Sequence, residues 1–172
     1  MGRNTALFFV LAGLVGLASG CGDQNFDPEA TQNEEIAEED NRGEVQSALY
    51  TRQQMVDIVM WNSYSQGGDP YVFGAAGPDA WDCSGLTMWV MSTVGVSLPH
   101  YSASQWNYGY HWTDDADIWP ADLVFFGAPG ISHVGIYVGD GNYIHAPAPG
   151  GVVKLSALSA ASKPYYGHAR YF

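Results

Sequence analysis

Short apolar runs in the second half of the chain constrain its fold more than any other feature of the sequence. Four runs have the length and the β-branched or aromatic content of strands: Leu123 to Phe126, His133 to Val138, Tyr143 to Ala146 and Gly151 to Leu155. Gly139-Asp140-Gly141 separates the second run from the third and is typical of a hairpin turn. Consecutive strands joined by such short connections form an antiparallel sheet.

Two segments with helical spacing precede these strands. From Val45 to Trp61 the apolar residues recur at near-helical intervals, and the Gly67-Gly68 pair ends the pattern. From Cys83 to Val94 the apolar residues Leu86, Val90 and Val94 follow one another every four residues, which places Cys83 at the start of a second predicted helix. Helices followed by a run of antiparallel strands predict an α+β domain.

Residues 1–20 have the pattern of a secretory signal peptide. One positive charge, Arg3, precedes an apolar stretch from Ala6 to Leu17, and small residues follow. The stretch is shorter than the roughly 20 apolar residues that a transmembrane helix needs. The end of the stretch and Cys21 resemble the lipobox of bacterial lipoproteins, in which the cysteine is acylated and anchors the mature protein to a membrane. Ala18 stands where lipoproteins usually have Leu, so a plain secretory signal, with Cys21 as a spare thiol, is the alternative.

Residues 21–47 form a strongly acidic segment. Between Gly22 and Ser47 there are nine carboxylates against one base, Arg42. Such a segment buries too little apolar surface to offset the entropy of ordering, and we expect a disordered tether. Residues 48–172 are then the single folded domain. This domain has nine acids and four bases, a balance that argues against nucleic acid as a partner.

The cysteine content points to a chemical role for Cys83. Cys21 and Cys83 are the only two cysteines, too few for a disulfide-stapled domain. A thiol is nucleophilic as the thiolate, and the pKa of a free cysteine is about 8.5. In the first turn of a helix, free N–H groups and the helix dipole favour the anion. We therefore expect Cys83 to be acidified and to act as a nucleophile.

Two histidines are candidates for the base that such a nucleophile needs. His133 begins one predicted strand, and His145 lies near the end of its partner. If residues 139–141 form a three-residue loop, Val138 pairs with Asn142 and Gly135 with His145, so that both histidines project from one face. A two-residue turn would put them on opposite faces. The alternative interpretation is that each is a structural strand histidine.

The remaining histidines do not suggest a metal site. His100, His111 and His168 lie outside the predicted hairpin and are interpreted as surface or structural residues. The sequence lacks the i, i+4 histidine pair or the cysteine pair of a common zinc site. We expect neither a metal nor another cofactor.

The motifs around these residues resemble those of the NlpC family of cell-wall cysteine peptidases, whose fold is papain-like. Three motifs carry the resemblance: Asp82-Cys83-Ser84-Gly85-Leu86, Ser132-His133-Val134-Gly135-Ile136-Tyr137 and Ile144-His145-Ala146-Pro147. Other segments match in the same order over about residues 48–172: Pro70 to Gly74, Leu98-Pro99, Ser102 to Gln105 and Ala121 to Phe126.

Some positions depart from the family pattern. The family usually has Arg, or a similar residue, where this chain has His100, and Gly where it has Ala121. The loop from Pro99 to Trp119 is also unusually aromatic, and its members are Trp106, Tyr108, Tyr110, His111 and Trp112. These aromatic side chains either modify or cover the rim of the cleft, or pack together over the loop.

The resemblance implies a role for each matching residue. Cys83 would attack the peptide carbonyl, His133 would accept and return the proton, and His145 would orient His133 where papain uses Asn. The backbone N–H of Cys83 would stabilise the oxyanion. The positions that match cleft-lining, substrate-binding residues of the family are Tyr71, Asp82 and Ser84.

The activity implied by the resemblance is hydrolysis of peptidoglycan stem peptides, at the bond between γ-D-glutamate and the diamino acid. An amidase or acyltransferase on the same scaffold is an alternative, since the same chemistry serves any acyl transfer. A non-catalytic lipoprotein that binds wall peptides is another. Secretion across the inner membrane and anchoring through Cys21 would place the domain in the periplasm or at the cell wall.

Overall fold

The computed structural model describes residues 50–172, in which three helices precede a six-stranded antiparallel sheet. The helices are α1 (Arg52–Ser65), α2 (Cys83–Ser92) and α3 (Ser102–Trp106), and a short 3-10 helix spans Leu158–Ala160. The strands are β1 (Tyr110–Trp112), β2 (Leu123–Phe126), β3 (His133–Gly139), β4 (Asn142–His145), β5 (Lys154–Ala157) and β6 (Tyr165–Arg170). Their order across the sheet is β1-β6-β2-β3-β4-β5, and the predicted α+β class is confirmed.

Three predictions concern residues outside the described range: the signal peptide at 1–20, the tether at 21–47 and the acylation of Cys21. None of the helices within residues 50–172 has the length and apolar composition of a membrane span.

Helix α1 begins at Arg52 because Thr51 and Gln54 form a reciprocal cap. The Gln54 backbone N–H donates to the Thr51 hydroxyl at 3.3 Å, and the Thr51 N–H donates to the Gln54 side-chain oxygen at 2.7 Å. The helix runs four residues beyond the predicted end at Trp61, as far as Ser65. The predicted start at Val45 lies outside the described residues.

Helix α2 starts at Cys83, as predicted, because Asp82 caps it. The Asp82 carboxylate accepts the Gly85 N–H at 2.7 Å, which satisfies one of the free donors at the helix start. The apolar face of α2 packs on β3, and its Leu86 and Val90 side chains are fully buried. Truncating Leu86 to Ala would cost about 2–5 kcal/mol on the scale of large-to-small core substitutions. The helix therefore fixes Cys83 firmly against the sheet.

The β3–β4 hairpin differs from the predicted loop. Gly139 pairs with Asn142, so the turn has two residues, Asp140 and Gly141, both with positive φ. Tyr137 then pairs with Tyr143, and Val138 is an extra residue that forms a bulge. The predicted Val138–Asn142 pair is therefore wrong. The bulge shifts the register by one residue and cancels the effect of the shorter turn, so β3 and β4 still present their histidines on one face.

The last predicted strand, Gly151 to Leu155, begins and ends later in the structure than in the prediction. Residues 151–153 do not join β4 but pair with the segment before α2: Pro70 bridges Val152, and Val153 donates its N–H to the Asp69 carbonyl at 2.8 Å. The strand β5 that pairs with β4 begins only at Lys154.

Strands β1 and β6 were not predicted. Strand β6 lies between β1 and β2, second from one edge of the sheet, although its sequence, Tyr-Tyr-Gly-His-Ala-Arg, has no uninterrupted apolar run. His168 of β6 is fully buried, so the interpretation of His168 as a structural residue fits and that of a surface residue does not.

The aromatic loop packs against β6 and its neighbours. Trp106 meets Phe125 and Tyr166 edge-on, with ring centroids 5.2 Å apart in both pairs, and Trp112 stacks on His168 at 5.1 Å. None of the five aromatic residues singled out in this loop lines the cleft at Cys83. Trp106, His111 and Trp112 pack away from the cleft, whereas His100, Tyr101 and Ser102 of the same loop line it.

Candidate active site

Cys83 lies at the bottom of a cleft between the start of α2 and the loop before β3. Tyr71, Phe73 and Ser84 line one part of this cleft, and Ile131 and Ser132 line another. Tyr71, Asp82 and Ser84, which the resemblance assigned to substrate binding, all lie along the cleft. Cys83 itself is partly exposed and is a free thiol.

Asp82 holds several segments of the cleft wall together. Its Oδ1 atom accepts hydrogen bonds from the Gly85 N–H at 2.7 Å and from the Ser84 hydroxyl at 3.0 Å. Its Oδ2 atom accepts the Gly74 N–H at 2.8 Å, and Nε2 of His100 lies 2.9 Å from Oδ1. Burial opposes ionisation of Asp82, but these four hydrogen bonds outweigh it and lower its pKa. The carboxylate is therefore an anionic, rigid part of the wall.

His133 and His145 form a buried hydrogen-bonded pair. Nε2 of His133 lies 2.7 Å from Nδ1 of His145, and each residue is 7% exposed. The two rings meet edge-to-face, and the ring of Tyr143 packs against His145 with a centroid distance of 4.5 Å. The contact uses Nε2 of His133 and leaves Nδ1 of the same ring available.

Ser156 extends this pair to a third strand and was not predicted. Its hydroxyl oxygen lies 3.0 Å from Nε2 of His145, because β5 pairs with β4 and places Ser156 opposite Tyr143. No motif marks Ser156 in the sequence, and the predicted strand ended one residue before it. A line of hydrogen bonds therefore runs from His133 through His145 to Ser156.

Burial keeps both histidines neutral. It is the main reason that the pKa of His133 falls from 6.5 to about 3, with further contributions from His145 and Lys163. Burial likewise lowers the pKa of His145 from 6.5 to about 4, with a contribution from Lys154. At neutral pH His133 is thus an unprotonated imidazole, the form in which it can accept a proton.

The Cys83 thiol is less acidic than its helix position predicts. Burial raises its pKa, and the nearby Asp82 carboxylate raises it further. The backbone N–H groups of Val134 and Ser84 act in the opposite direction by hydrogen bonding to the sulfur. Desolvation prevails, so the resting site contains a neutral thiol and a neutral imidazole, and the sequence-based expectation of an acidified thiol does not hold for this state.

The Val134 contact also locates the sulfur relative to the base. Val134 directly follows His133 in β3, so the N–H group that points at the Cys83 sulfur lies next to the imidazole along the chain. Among residues 50–172, no group of three His, Cys, Asp or Glu side chains is arranged to hold a metal ion. The chemistry available in this cleft is that of a nucleophilic thiol beside a neutral base.

A cysteine at the start of a helix, packed on an antiparallel sheet whose strands carry the histidines, defines a papain-like fold. The chain belongs to the NlpC/P60 family, whose model matches residues 68–170.

Similar proteins include enzymes of the bacterial cell wall. The chain is 35% identical over 131 residues to the peptidoglycan endopeptidase RipA of Mycobacterium tuberculosis, an alignment that covers 69% of this chain and 27% of RipA. It is 46% identical over 80 residues to the probable endopeptidase p60 of Listeria grayi, covering 46% of this chain and 16% of p60. The chain therefore corresponds to only part of these relatives.

Solved structures agree with the fold. The NlpC/p60 domain of the peptidoglycan hydrolase SagA superposes with a TM-score of 0.60 at 31% identity, covering 67% of this chain and 97% of that domain. An NlpC/P60 family protein from Bacillus cereus gives a TM-score of 0.64 at 29% identity, covering 67% of this chain and 40% of the other.

Proposed function

We propose that this protein is a peptidoglycan endopeptidase that cleaves stem peptides with Cys83 as its nucleophile. The observation that carries the proposal is the line of hydrogen bonds from His133 through His145 to Ser156, beside a thiol in an open cleft. The membership of the chain in the NlpC/P60 family and its similarity to the peptidoglycan endopeptidase RipA and the peptidoglycan hydrolase SagA support peptidoglycan as the substrate.

The hydrogen-bond line favours one tautomer of His133 for catalysis. If Nε2–H of His145 donates to Ser156, then Nδ1 of His145 is an acceptor and accepts a hydrogen bond from Nε2–H of His133. Nδ1 of His133 then carries a lone pair. It is in this state that His133 acts as a base toward the thiol, while His145 holds the ring in place.

Acylation starts from the neutral thiol and imidazole. The Cys83 proton moves to Nδ1 of His133 as the sulfur attacks the peptide carbonyl and a C–S bond forms. The electron pair of the carbonyl π bond moves to oxygen, and the backbone N–H of Cys83 at the helix start stabilises this oxyanion. Cys83 and His133 become an ion pair only as the reaction proceeds, so the resting protein does not need to contain a thiolate.

The intermediate then divides into two products. The C–N bond breaks, the leaving amine takes the proton from His133, and the acyl group remains on Cys83 as a thioester. Water, deprotonated by His133, attacks the thioester, and the returning proton restores the thiol. Atoms balance as hydrolysis of one peptide bond by one water molecule.

We further propose that the cleaved bond joins γ-D-glutamate to the diamino acid. The Asp82 carboxylate supports this assignment, because an anionic wall suits a stem peptide whose N-terminal amine is free and positively charged. Tyr71 and Ser84 lie on the same cleft and supply hydroxyl groups to the peptide backbone.

The test is mass spectrometry of products formed from defined stem peptides by the wild-type protein and by Cys83→Ala. Cleavage after γ-D-glutamate by the wild type alone is the expected result. Cleavage at another amide would refute the assignment of the cleaved bond but not the peptidase activity. Intact peptides together with rapid alkylation of Cys83 would point to an amidase or acyltransferase, and intact peptides with an unreactive Cys83 would favour a binding protein.

We also propose that the protein is secreted and acylated at Cys21. Support comes from the apolar stretch that ends before Cys21 and from the cell-wall substrate, which lies outside the cytoplasmic membrane. Metabolic labelling with a fatty-acid analogue is expected to mark the wild type and not Cys21→Ala. Equal labelling, or none in either protein, would contradict acylation at Cys21.

A further inference from the structure

Lys163 lies beside the cleft, on the segment before β6. Its ammonium group donates to the backbone carbonyl of Ser132 at 3.1 Å and to the Ser132 hydroxyl at 3.0 Å. Ser132 lines the cleft with Cys83 and directly precedes His133. The N–H of Gly127 donates to the Pro164 carbonyl at 2.9 Å, which ties the segment that carries Lys163 to the loop before β3. Lys163 is therefore held at the rim next to the reacting groups.

The charge of Lys163 reaches the reacting groups themselves. Burial is the main cause of the raised pKa of Cys83 and of the lowered pKa of His133. The positive charge of Lys163 acts to lower the pKa of both groups. An anion bound at Lys163 would consequently lie close to the scissile bond of a bound substrate.

Lys163 has no acidic partner within residues 50–172. Arg170 pairs with Asp122 at 2.8 Å, and Arg52 lies over the ring of Trp119, whereas Lys163 bonds only to the uncharged groups of Ser132. An ammonium has three N–H donors, and two of them are used. One donor and the whole positive charge remain for a ligand.

The net charge of the domain makes this cation important for an anionic substrate. Residues 48–172 carry nine acids and four bases, and Asp82 adds a carboxylate to the wall of the cleft. Such a field repels anions unless a local cation offsets it. Asp82 on one wall and Lys163 on the rim give the cleft a negative and a positive end.

We propose that Lys163 is a specificity-determining residue that binds a carboxylate of the substrate next to the scissile bond, an inference that rests on the proposed function. A γ-glutamyl linkage leaves the α-carboxylate of the glutamyl residue free. The diamino acid supplies a second carboxylate when it ends the peptide. Both present the same chemistry to an ammonium, and amidating each in turn distinguishes them.

The first arm of the test uses two alkylating reagents that differ only in charge. Iodoacetate carries a carboxylate and iodoacetamide a neutral amide, and both react with the Cys83 thiolate. The ratio of their rates cancels any change in the thiolate fraction, so it reports only on the attraction of a carboxylate to the cleft. We expect Lys163→Met to lower the ratio of the iodoacetate rate to the iodoacetamide rate about fivefold, as for a partly exposed charged pair.

Two matched variants control this arm. Lys163→Arg keeps the charge and is expected to keep most of the ratio. Arg52→Met removes a positive charge from the start of α1 and is expected to leave the ratio unchanged, because Arg52 lies over the ring of Trp119 and does not line the cleft. An unchanged ratio in Lys163→Met, or an equal fall in Arg52→Met, would overturn the inference. Thermal unfolding of each variant verifies that it is folded.

The second arm uses the tripeptide L-Ala-γ-D-Glu-L-Lys and two forms of it, one amidated at the glutamyl α-carboxylate and one at the C-terminal carboxylate. For the wild type, kcat/KM is expected to fall about fivefold on amidation of the carboxylate that binds Lys163. In Lys163→Met this preference is expected to disappear for that form only. Preferences that are identical in wild type and Lys163→Met would overturn the inference while leaving the proposed function intact.

A wild type that cleaves none of the three peptides would refute the proposed function. In that case the alkylation ratio alone decides whether Lys163 attracts carboxylates to the cleft, because it does not depend on peptide cleavage.

Discussion

Acidification should destabilise the fold through the two buried histidines. In the folded protein burial lowers the pKa of His133 to about 3 and that of His145 to about 4, whereas both return to an ordinary value near 6.5 on unfolding. Below about pH 6.5 these histidines therefore bind protons in the unfolded chain but not in the folded chain. The stability that depends on the neutral pair is complete above about pH 6.5 and is lost as the pH falls toward the folded pKa values.

The size of the effect follows from the number of protons. One proton bound only by the unfolded state changes the free energy of unfolding by about 1.4 kcal/mol per pH unit. At about pH 5.5 an unfolded histidine is roughly nine-tenths protonated, while the buried pair stays almost unprotonated. Two such residues lower the free energy of unfolding by about 2 kcal/mol between about pH 6 and pH 5. This change requires that His133 and His145 stay neutral in the folded protein between these pH values. It depends little on how far their pKa values lie below that range.

Urea unfolding at these two pH values measures the effect. The wild type is compared with His133→Asn and with His145→Asn, which keep the carboxylates and the other three histidines of the chain. Each single variant should lose about half of the pH dependence of the wild type. Equal pH dependence in all three proteins would show that the pair is not held neutral and would refute the reasoning.

Three other substitutions test the supports of the site. Ser156→Ala removes the hydroxyl that holds His145 and should lower kcat about fivefold with little change in KM, while Ser156→Thr should restore most of it. Gly135→Ala places a methyl group 2.6 Å from the ring of Tyr143, so urea unfolding should show a loss of about 1–3 kcal/mol together with lower activity. Gln105→Met removes three buried or partly buried hydrogen bonds, from the Gln105 amide to the Ser84 and Pro99 carbonyls and from the Thr87 hydroxyl to the Gln105 amide oxygen, and should cost about 2 kcal/mol in the same assay. Losses below about 0.5 kcal/mol in the last two variants, or an unaltered kcat in Ser156→Ala, would contradict these assignments.

The parts of the fold with a clear local signal were predictable. The start of α2 was predicted at Cys83 because four-residue apolar spacing begins there, and the bounds of β2 were predicted from a compact apolar run. Strand β6 gave no such signal, since Gly167 and His168 interrupt its apolar residues and its place beside β2 depends on contacts distant in the chain. Local patterns carry no information about such partners.

The site was predictable to a similar degree. The thiol and the two histidines stand in motifs, but Ser156 and Lys163 stand in none, and both act through strands or loops that tertiary structure brings to the cleft. The acidity of Cys83 was misjudged for a physical reason. The sequence indicates the favourable helix terminus, whereas the depth of burial and the distance to Asp82 are properties of the folded protein.

The compensation between the turn and the bulge of the β3–β4 hairpin limits which insertions and deletions the hairpin can tolerate. Deleting Val138 alone would remove the bulge but leave Tyr137 paired with Tyr143, so that His133 and His145 would stay on one face. With the bulge retained, deleting one residue from 134–137 would instead shift His133 by one place against His145 and turn it to the other face. A deletion scan of this hairpin should therefore find activity retained without Val138 and lost when a residue of 134–137 is removed.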